Sequence, residues 1–393
     1  MMLNDASLQA ILNGLFAALV GAASSFAIIL SGLVAVGATE QQAATGLMIA
    51  FITMGLAGII TAVVSRAPIG IAWSTPAAAL LSASSVPAAG FPAVIGAFVV
   101  CAGLIVLSGL VRPFGRLVEN IPEHLAAALI AGVLVKLCFA PFLGLSEDPI
   151  AVGIIIATWA VFHVVTPRWA VLCALVAFAI VLVAGKEHQP WPVDLTVFAP
   201  WQAMMPTFTW ATSIGLGIPL FIVTMAGQNI PGVAVMRANK YQIKAGPWFV
   251  LTGIFSAIGA PFGAVPVNLA AITAAMLAGE QSHSDPNKRY WASISAGIAY
   301  VLFGLFTGAI VVIVSLAPLY LVQSVAGLAL IPAFVSGAAT AFQRAELRVS
   351  AGVTFLFGAS GMALFGISGA FWGLLIGVGI DWFQRTFAQS DKR

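Results

Sequence analysis

Ser74-Thr75-Pro76, Val267-Asn268 and Thr224 with Gln228-Asn229 interrupt long apolar stretches of this chain with hydroxyls and amides. Such groups neither ionise nor attack; they donate and accept hydrogen bonds. The chemistry they offer is recognition of a small polar or anionic group rather than bond making. An enzyme working inside a membrane needs a nucleophile with its base, or clustered His and carboxylates. The sequence has no HExxH, no paired carboxylates and no Cys/His cluster within its apolar stretches, so it is read as a non-enzyme with no cofactor and no metal. It also has no GxxxxGK[ST] stretch, which argues against ATP-driven transport. Cys101, Cys138 and Cys173 all lie inside apolar runs and read as packing residues.

The elements that position these groups are set by composition. Hydrophobic residues make up 61% of the 393 residues and charged ones 7%, with a mean hydropathy of +1.06. About a quarter of a soluble chain is charged, so lipid must be the main solvent here. The first ten residues carry Asp5 and no Lys or Arg, so the first apolar run reads as a retained helix rather than a cleaved signal. A spanning helix needs about 20 apolar residues, fewer if it is broken. Segments begin near Leu8, Gln41, Ile69, Phe91, His124, Pro149 and Trp169, then near Thr209, Ile243, Ala264, Tyr290, Pro318, Arg348 and Ser368. The expectation is an all-α integral membrane protein of about 14 spans. Residues 1–184 hold the first seven, 185–208 form an extracytoplasmic linker, and 209–393 hold the second seven.

Charge tests that count. With the N-terminus in the cytoplasm and sides alternating, all of the 16 Lys and Arg except Lys186 and Lys136 fall inside. Lys186 falls outside and Lys136 within span five. Merging or splitting one span would spoil this positive-inside separation. An odd number of spans per half makes the second set an inverted repeat, a plan common in secondary transporters with the site at the repeat interface. The basic residues are dispersed over many short loops, so no nucleic-acid partner is expected.

Spans three and ten are irregular at matching positions. Each reads as an extended piece, a proline and a short Ala-rich helix former: Ile69 to Leu81 around Pro76, and Ala264 to Ala275 around Pro266. Ser74 and Thr75 are placed to cap a helix starting at Pro76, and Asn268 to cap the second. Non-helical backbone at membrane depth requires protein or a wet cavity around it. Two half-helix N-termini meeting there favour an anion, a carboxylate above all. The competing reading, that both prolines only kink ordinary helices, is disfavoured by their matching positions. In span eight, Gln228 and Asn229 precede a Pro231-Gly232 break; they either face a cavity or satisfy carbonyls freed at the break. Ser24 and Ser25 in span one are weaker candidates, since serines beside small residues usually serve helix packing.

At Ala72-Trp-Ser-Thr-Pro-Ala-Ala-Ala-Leu80, Thr224-Met-Ala-Gly-Gln-Asn-Ile-Pro-Gly232 and Pro261 to Ala275 the chain resembles the bacterial benzoate:proton symporter (BenE) family. Gly21-Ala-Ala-Ser-Ser25 and Ser368-Gly-Ala-Phe-Trp-Gly373 extend the likeness nearly end to end. The resemblance implies import of benzoate or a related aromatic carboxylate with protons across the bacterial inner membrane, while the positive-inside separation and even span count place both termini in the cytoplasm. The resemblance also implies the seven-plus-seven inverted repeat shared with uracil/xanthine permeases and sulfate-type anion transporters, often dimeric. In that fold a core (spans one to four and eight to eleven) slides in elevator fashion against a gate (five to seven and twelve to fourteen), and spans three and ten each run a short strand into a half-helix. Nucleobase permeases of that fold place carboxylates in spans eight and ten, where this chain has Gln228, Asn229 and Asn268. That departure fits an anionic ligand and leaves the proton carrier unassigned.

A carboxylic acid with a pKa of about 4 is ionised at neutral pH, and an inside-negative membrane opposes its entry by about 2.3 kcal/mol per 100 mV. One accompanying proton would make the step electroneutral. The carboxylate is expected between Ser74–Thr75 and Asn268, with Gln228, Asn229, Thr224, Pro76 and Val267 around it and Trp73 stacking on the ring. His163 and Asp381 read as interfacial or structural, while Lys136 snorkels, pairs or attracts an anion. His124, His188 and His283 fall at loops or span ends. A nucleobase or another small organic anion is the alternative substrate, and a passive channel the alternative class.

Overall fold

The structure is a computed structural model that describes residues 5–23, 25–111, 122–185, 201–309, 311, 317–364 and 367–390. The first half comprises α1 (Leu8–Ala23), α2 (Phe26–Ala35), α3 (Glu40–Ser65), β1 (Ile71–Trp73), α4 (Thr75–Ser82), α5 (Phe91–Leu110), α6 (Glu123–Glu147), α7 (Pro149–Val165) and α8 (Ala170–Ala184). The second comprises α9 (Trp210–Arg237), α10 (Ala245–Gly259), β2 (Val267–Leu269), α11 (Ala271–Ala278), α12 (Tyr290–Leu305), α13 (Leu319–Phe342), α14 (Arg348–Ser360), β3 (Ala363–Leu364), β4 (Ile367–Ser368) and α15 (Gly369–Ser390). These elements start within three residues of the segments read from the sequence. Among the described residues, seven helical segments are each long and apolar enough to cross a membrane: α1 with α2, α3, α5, α6, α9, α10 continued through the 3-10 turn to Phe262, and α13.

Local sequence explains the boundaries. Thr39 and Gln42 form a reciprocal capping box at the start of α3, at 3.2 and 2.9 Å. Asp148 caps α7 through its Oδ1, which accepts from Ile150 N at 3.1 Å and Ala151 N at 2.9 Å, with Pro149 beside it at the helix start. Pro219 and Pro231 lack an N–H and crowd the carbonyl four residues back. Those carbonyls, of Gly215 and Gly227, lie in π-helical turns, Ser213–Gly217 and Met225–Asn229. The helix therefore is not broken at Pro231–Gly232 as the sequence suggested; it absorbs each proline in a wider turn. The β3–β4 pair between α14 and α15 is also unanticipated.

Helix crossings repeat between the halves. The first crossing is α3 on α12, and its counterpart with the halves exchanged is α10 on α5; likewise α1 lies on α12 and α9 on α5. Glycine pairs close both principal crossings. A Cβ on Gly297 would lie 2.7 Å from Gly55 O, and one on Gly109 would lie 2.5 Å from Gly246 O, so only glycine admits these backbone approaches. A separate set of contacts joins α6 to α13 and α14, α14 to α15, and α7 to α8. Large apolar side chains on α7 point outward, Ile150 at 77% and Val164 at 83% exposed. Lipid is the solvent that such faces require.

Candidate functional site

β1 and β2 pair antiparallel in the register Ile71↔Leu269, Ala72↔Asn268, Trp73↔Val267. Ser74 N donates to Pro266 O and Ala270 N to Gly70 O, at 2.8 and 2.9 Å, which extends the ladder at both ends. Because each strand runs directly into a half-helix, α4 leaves one end of the ladder and α11 the other. Their N-termini, eight residues of helix behind each, face one another across three strand residues, about 10 Å. Two positive dipole ends thus flank a short piece of extended backbone in the interior.

The surrounding side chains hold this geometry. Ser74 Oγ accepts from Ala77 N at 3.3 Å and bonds Thr224 Oγ1 at 2.8 Å, so it caps α4 and ties it to α9. The helix begins at Thr75, one residue before the expected Pro76. Asn229 is fully buried; its Oδ1 accepts from Leu269 N at 2.9 Å and its Nδ2 lies 3.0 Å from Met225 Sδ. The bond to Leu269 satisfies the outward-facing edge of β2, so Asn229 serves the strand rather than the break in its own helix. Ser256 of α10, which the sequence reading did not single out, accepts from Val267 N at 2.8 Å. A lone serine in an apolar span gives no signal of that role. Trp73 is 2% exposed, donates from Nε1 to Ser25 Oγ at 2.8 Å and packs edge-on against Phe51 with ring centroids 4.5 Å apart.

Asn268 differs from these neighbours. It does not cap α11, whose N-cap is Ala270 with no side-chain bond. It sits in mid-strand, fully buried, and among the described residues neither Oδ1 nor Nδ2 has a hydrogen-bond partner. Val267 and Pro76 are buried, whereas Thr75 and Gln228 retain partial exposure. Gly227 brings α9 against Pro76: a Cβ there would lie 3.0 Å from Pro76 Cγ. Residue Ser24 lies outside the described residues, as does His188.

Charged groups lie elsewhere. His124 at the start of α6 and Asp381 of α15 form a buried pair, Nε2 to Oδ1 3.5 Å, with Ser350 Oγ 3.4 Å from the same ring nitrogen. His163 stacks on Trp159, centroids 4.8 Å apart, and His283 Nδ1 accepts from Asp285 N. Among the described residues, no group of three His, Cys, Asp or Glu could hold a metal. A cavity of about 290 Å³ lies beyond the outer ends of α4 and α9, against α14 and α15; it is lined by none of the site residues read from the sequence.

A polar strand crossing enclosed by apolar helices, with half-helices leaving it in opposite senses, defines a membrane transport architecture. Solved structures share the fold: the transmembrane domain of the cyanobacterial bicarbonate transporter BicA (TM-score 0.61, 14% identity, covering 95% of this chain and 98% of that one) and murine Slc26a9, an anion transporter (0.64, 13%, 98% and 69%). The sequence model of the BenE family, described as "Benzoate membrane transport protein", matches residues 4–382. Two relatives align over nearly the whole chain. Inner membrane protein YdcO of Escherichia coli strain K12 is 36% identical over 367 residues, 93% of each chain. The benzoate membrane transport protein of Acinetobacter baylyi is 33% identical over 383 residues, 95% of this chain and 94% of that one. The chain belongs to the BenE family of membrane transport proteins and is a multi-pass protein of a bacterial inner membrane, not an enzyme.

Proposed function

We propose that the protein is a secondary active transporter importing benzoate or a related aromatic carboxylate together with a proton. The observation that carries this reading is Asn268, a fully buried amide without a partner among the described residues, in the strand between two half-helix N-termini. Leaving such a group unsatisfied costs about 1–3 kcal/mol, and a bound carboxylate offsets that by accepting from Nδ2 and from N–H groups of the flanking helix starts. Thr75 and Gln228, both partly exposed, contribute further polar contacts. Ser74, Asn229, Thr224, Ser25 and Trp73 already bond within the protein and hold the ladder in shape, with Pro76 and Val267 as its buried walls.

The finer architecture belongs to the same proposal. Fourteen spans form two inverted repeats, 1–184 and 209–393, joined by 185–208, the plan attributed above to uracil/xanthine permeases and sulfate-type transporters. The mirrored crossings of α3 on α12 and α10 on α5 support it. A core of α1–α5 and α9–α12 moves against a gate of α6–α8 and α13–α15, with both termini cytoplasmic and two copies forming a homodimer. The anion transporter fold of the solved relatives and the family's benzoate member support the substrate class.

Radiolabelled benzoate uptake into proteoliposomes tests the reading. An imposed inward proton gradient should drive accumulation above equilibrium, and a proton ionophore should abolish it. Uptake no greater than in empty liposomes, from folded protein, would remove benzoate as substrate.

A further inference from the structure

Lys136 is the one Lys or Arg that the sequence puts inside a span, and a cation at that depth normally faces a cavity or the bundle interior. It lies near the middle of α6, with its ammonium donating to Ser360 O at 3.0 Å. Ser360 is the last residue of α14, and the next residue, Gly361, adopts a left-handed φ of +63°. A Cβ on Gly361 would lie 2.6 Å from Lys136 Nζ and 3.3 Å from Ala83 O, so glycine lets the ammonium reach the seam between α4 and α14.

Gly361 also lines the cavity of about 290 Å³. That volume is at the small end of ligand sites. Its apolar walls are Leu80 of α4, Leu216 of α9, Phe357 of α14 and Met362, with Thr212 adding a hydroxyl. By the charge distribution it opens on the side opposite the cytoplasm, outward of the half-helix start at Thr75.

We propose that this cavity is a loading site for an aromatic monocarboxylate, with its ring among Leu80, Leu216, Phe357 and Met362 and its charge beside the Lys136 ammonium. The proposal rests on the transport reading above and adds a second, outer position on the substrate's route. Lys136 is exposed and reaches the cavity's edge only beside Gly361, so its pull on an anion is that of a solvated ion pair, about 1 kcal/mol, whereas the apolar walls alone would hold a neutral ring equally well. The site therefore discriminates by charge before the substrate reaches Asn268.

Cysteine protection tests this without depending on transport. Met362 is 39% exposed and lines the cavity, while Cys101 and Cys138 are buried. In a Cys173→Ala background, Met362→Cys should react with a maleimide, and benzoate should slow the reaction. The neutral isostere benzamide should need about fivefold more for equal protection, and so should benzoate acting on Lys136→Gln. Lys136→Arg should restore protection. Equal protection by benzoate and benzamide, or equal protection in Lys136→Gln, would overturn the proposal and leave Lys136 as a cap on α14. No protection by benzoate in a protein that transports it would also overturn it and leave the transport reading standing. Protection without any uptake would support the site and sink the transport reading.

Discussion

Two buried asparagines in neighbouring elements carry opposite consequences for substitution. Asn229 accepts the Leu269 N–H, so Asn229→Ala orphans a buried strand donor and should lower thermal stability by about 1–3 kcal/mol. Asn268 has no partner among the described residues, so Asn268→Ala removes an unsatisfied group and should leave unfolding temperature unchanged or higher. Benzoate uptake should nevertheless be lost in Asn268→Ala. Thermal unfolding in detergent beside uptake in proteoliposomes reads both. If Asn268→Ala destabilises the fold and transports normally, Asn268 is structural and the site has been misplaced. The sequence pointed to both amides without separating them, because adjacency to a proline marks irregular backbone but not which donor the side chain meets. Trp73 shows the same limit: its type suits ring stacking, yet its strand register turns it towards Phe51 and Ser25.

Elements meet here at points where one atom decides the packing. Gly297→Ala inserts a Cβ 2.7 Å from Gly55 O, and backbone on a neighbouring helix cannot retreat as a side chain would. Such overpacking should cost about 1–3 kcal/mol, measured as a lower unfolding temperature. The change should also weaken uptake, since α3 and α12 support the ladder. On the other contact set, Asp381→Leu removes the carboxylate beside buried His124 and should destabilise the α6–α14–α15 group by up to about 3 kcal/mol. If neither variant moves the unfolding temperature, these crossings are not the ones that hold the bundle. Boundaries of these elements were legible from proline, glycine and charge, which act locally. The π-helical turns of α9 and the β3–β4 pair were not legible, because a wider turn and a two-residue bridge leave no periodic trace in sequence. Nor was the cavity, whose walls come from residues far apart in the chain, Leu80 and Phe357 among them.

At the scale of the whole molecule, the charge carried per cycle follows from what the site lacks. Gln228, Asn229 and Asn268 bring no carboxylate to the ladder, so no anionic side chain there exchanges charge with the substrate. A monocarboxylate entering with one proton moves no net charge, and an inside-negative potential then neither helps nor opposes it. A lone anion would be opposed by about 2.3 kcal/mol per 100 mV. Proteoliposomes clamped with a potassium ionophore separate the cases. At equal pH on both sides, an imposed inside-negative potential should leave the initial rate of benzoate uptake unchanged, while an inside-alkaline pH difference should raise it. Slowing by the potential would mean that the anion crosses alone, as through a channel. Acceleration would mean that more than one proton accompanies each anion, and the search for a titrating group would then turn to the buried His124–Asp381 pair, which lies outside the ladder and faces a different set of helices.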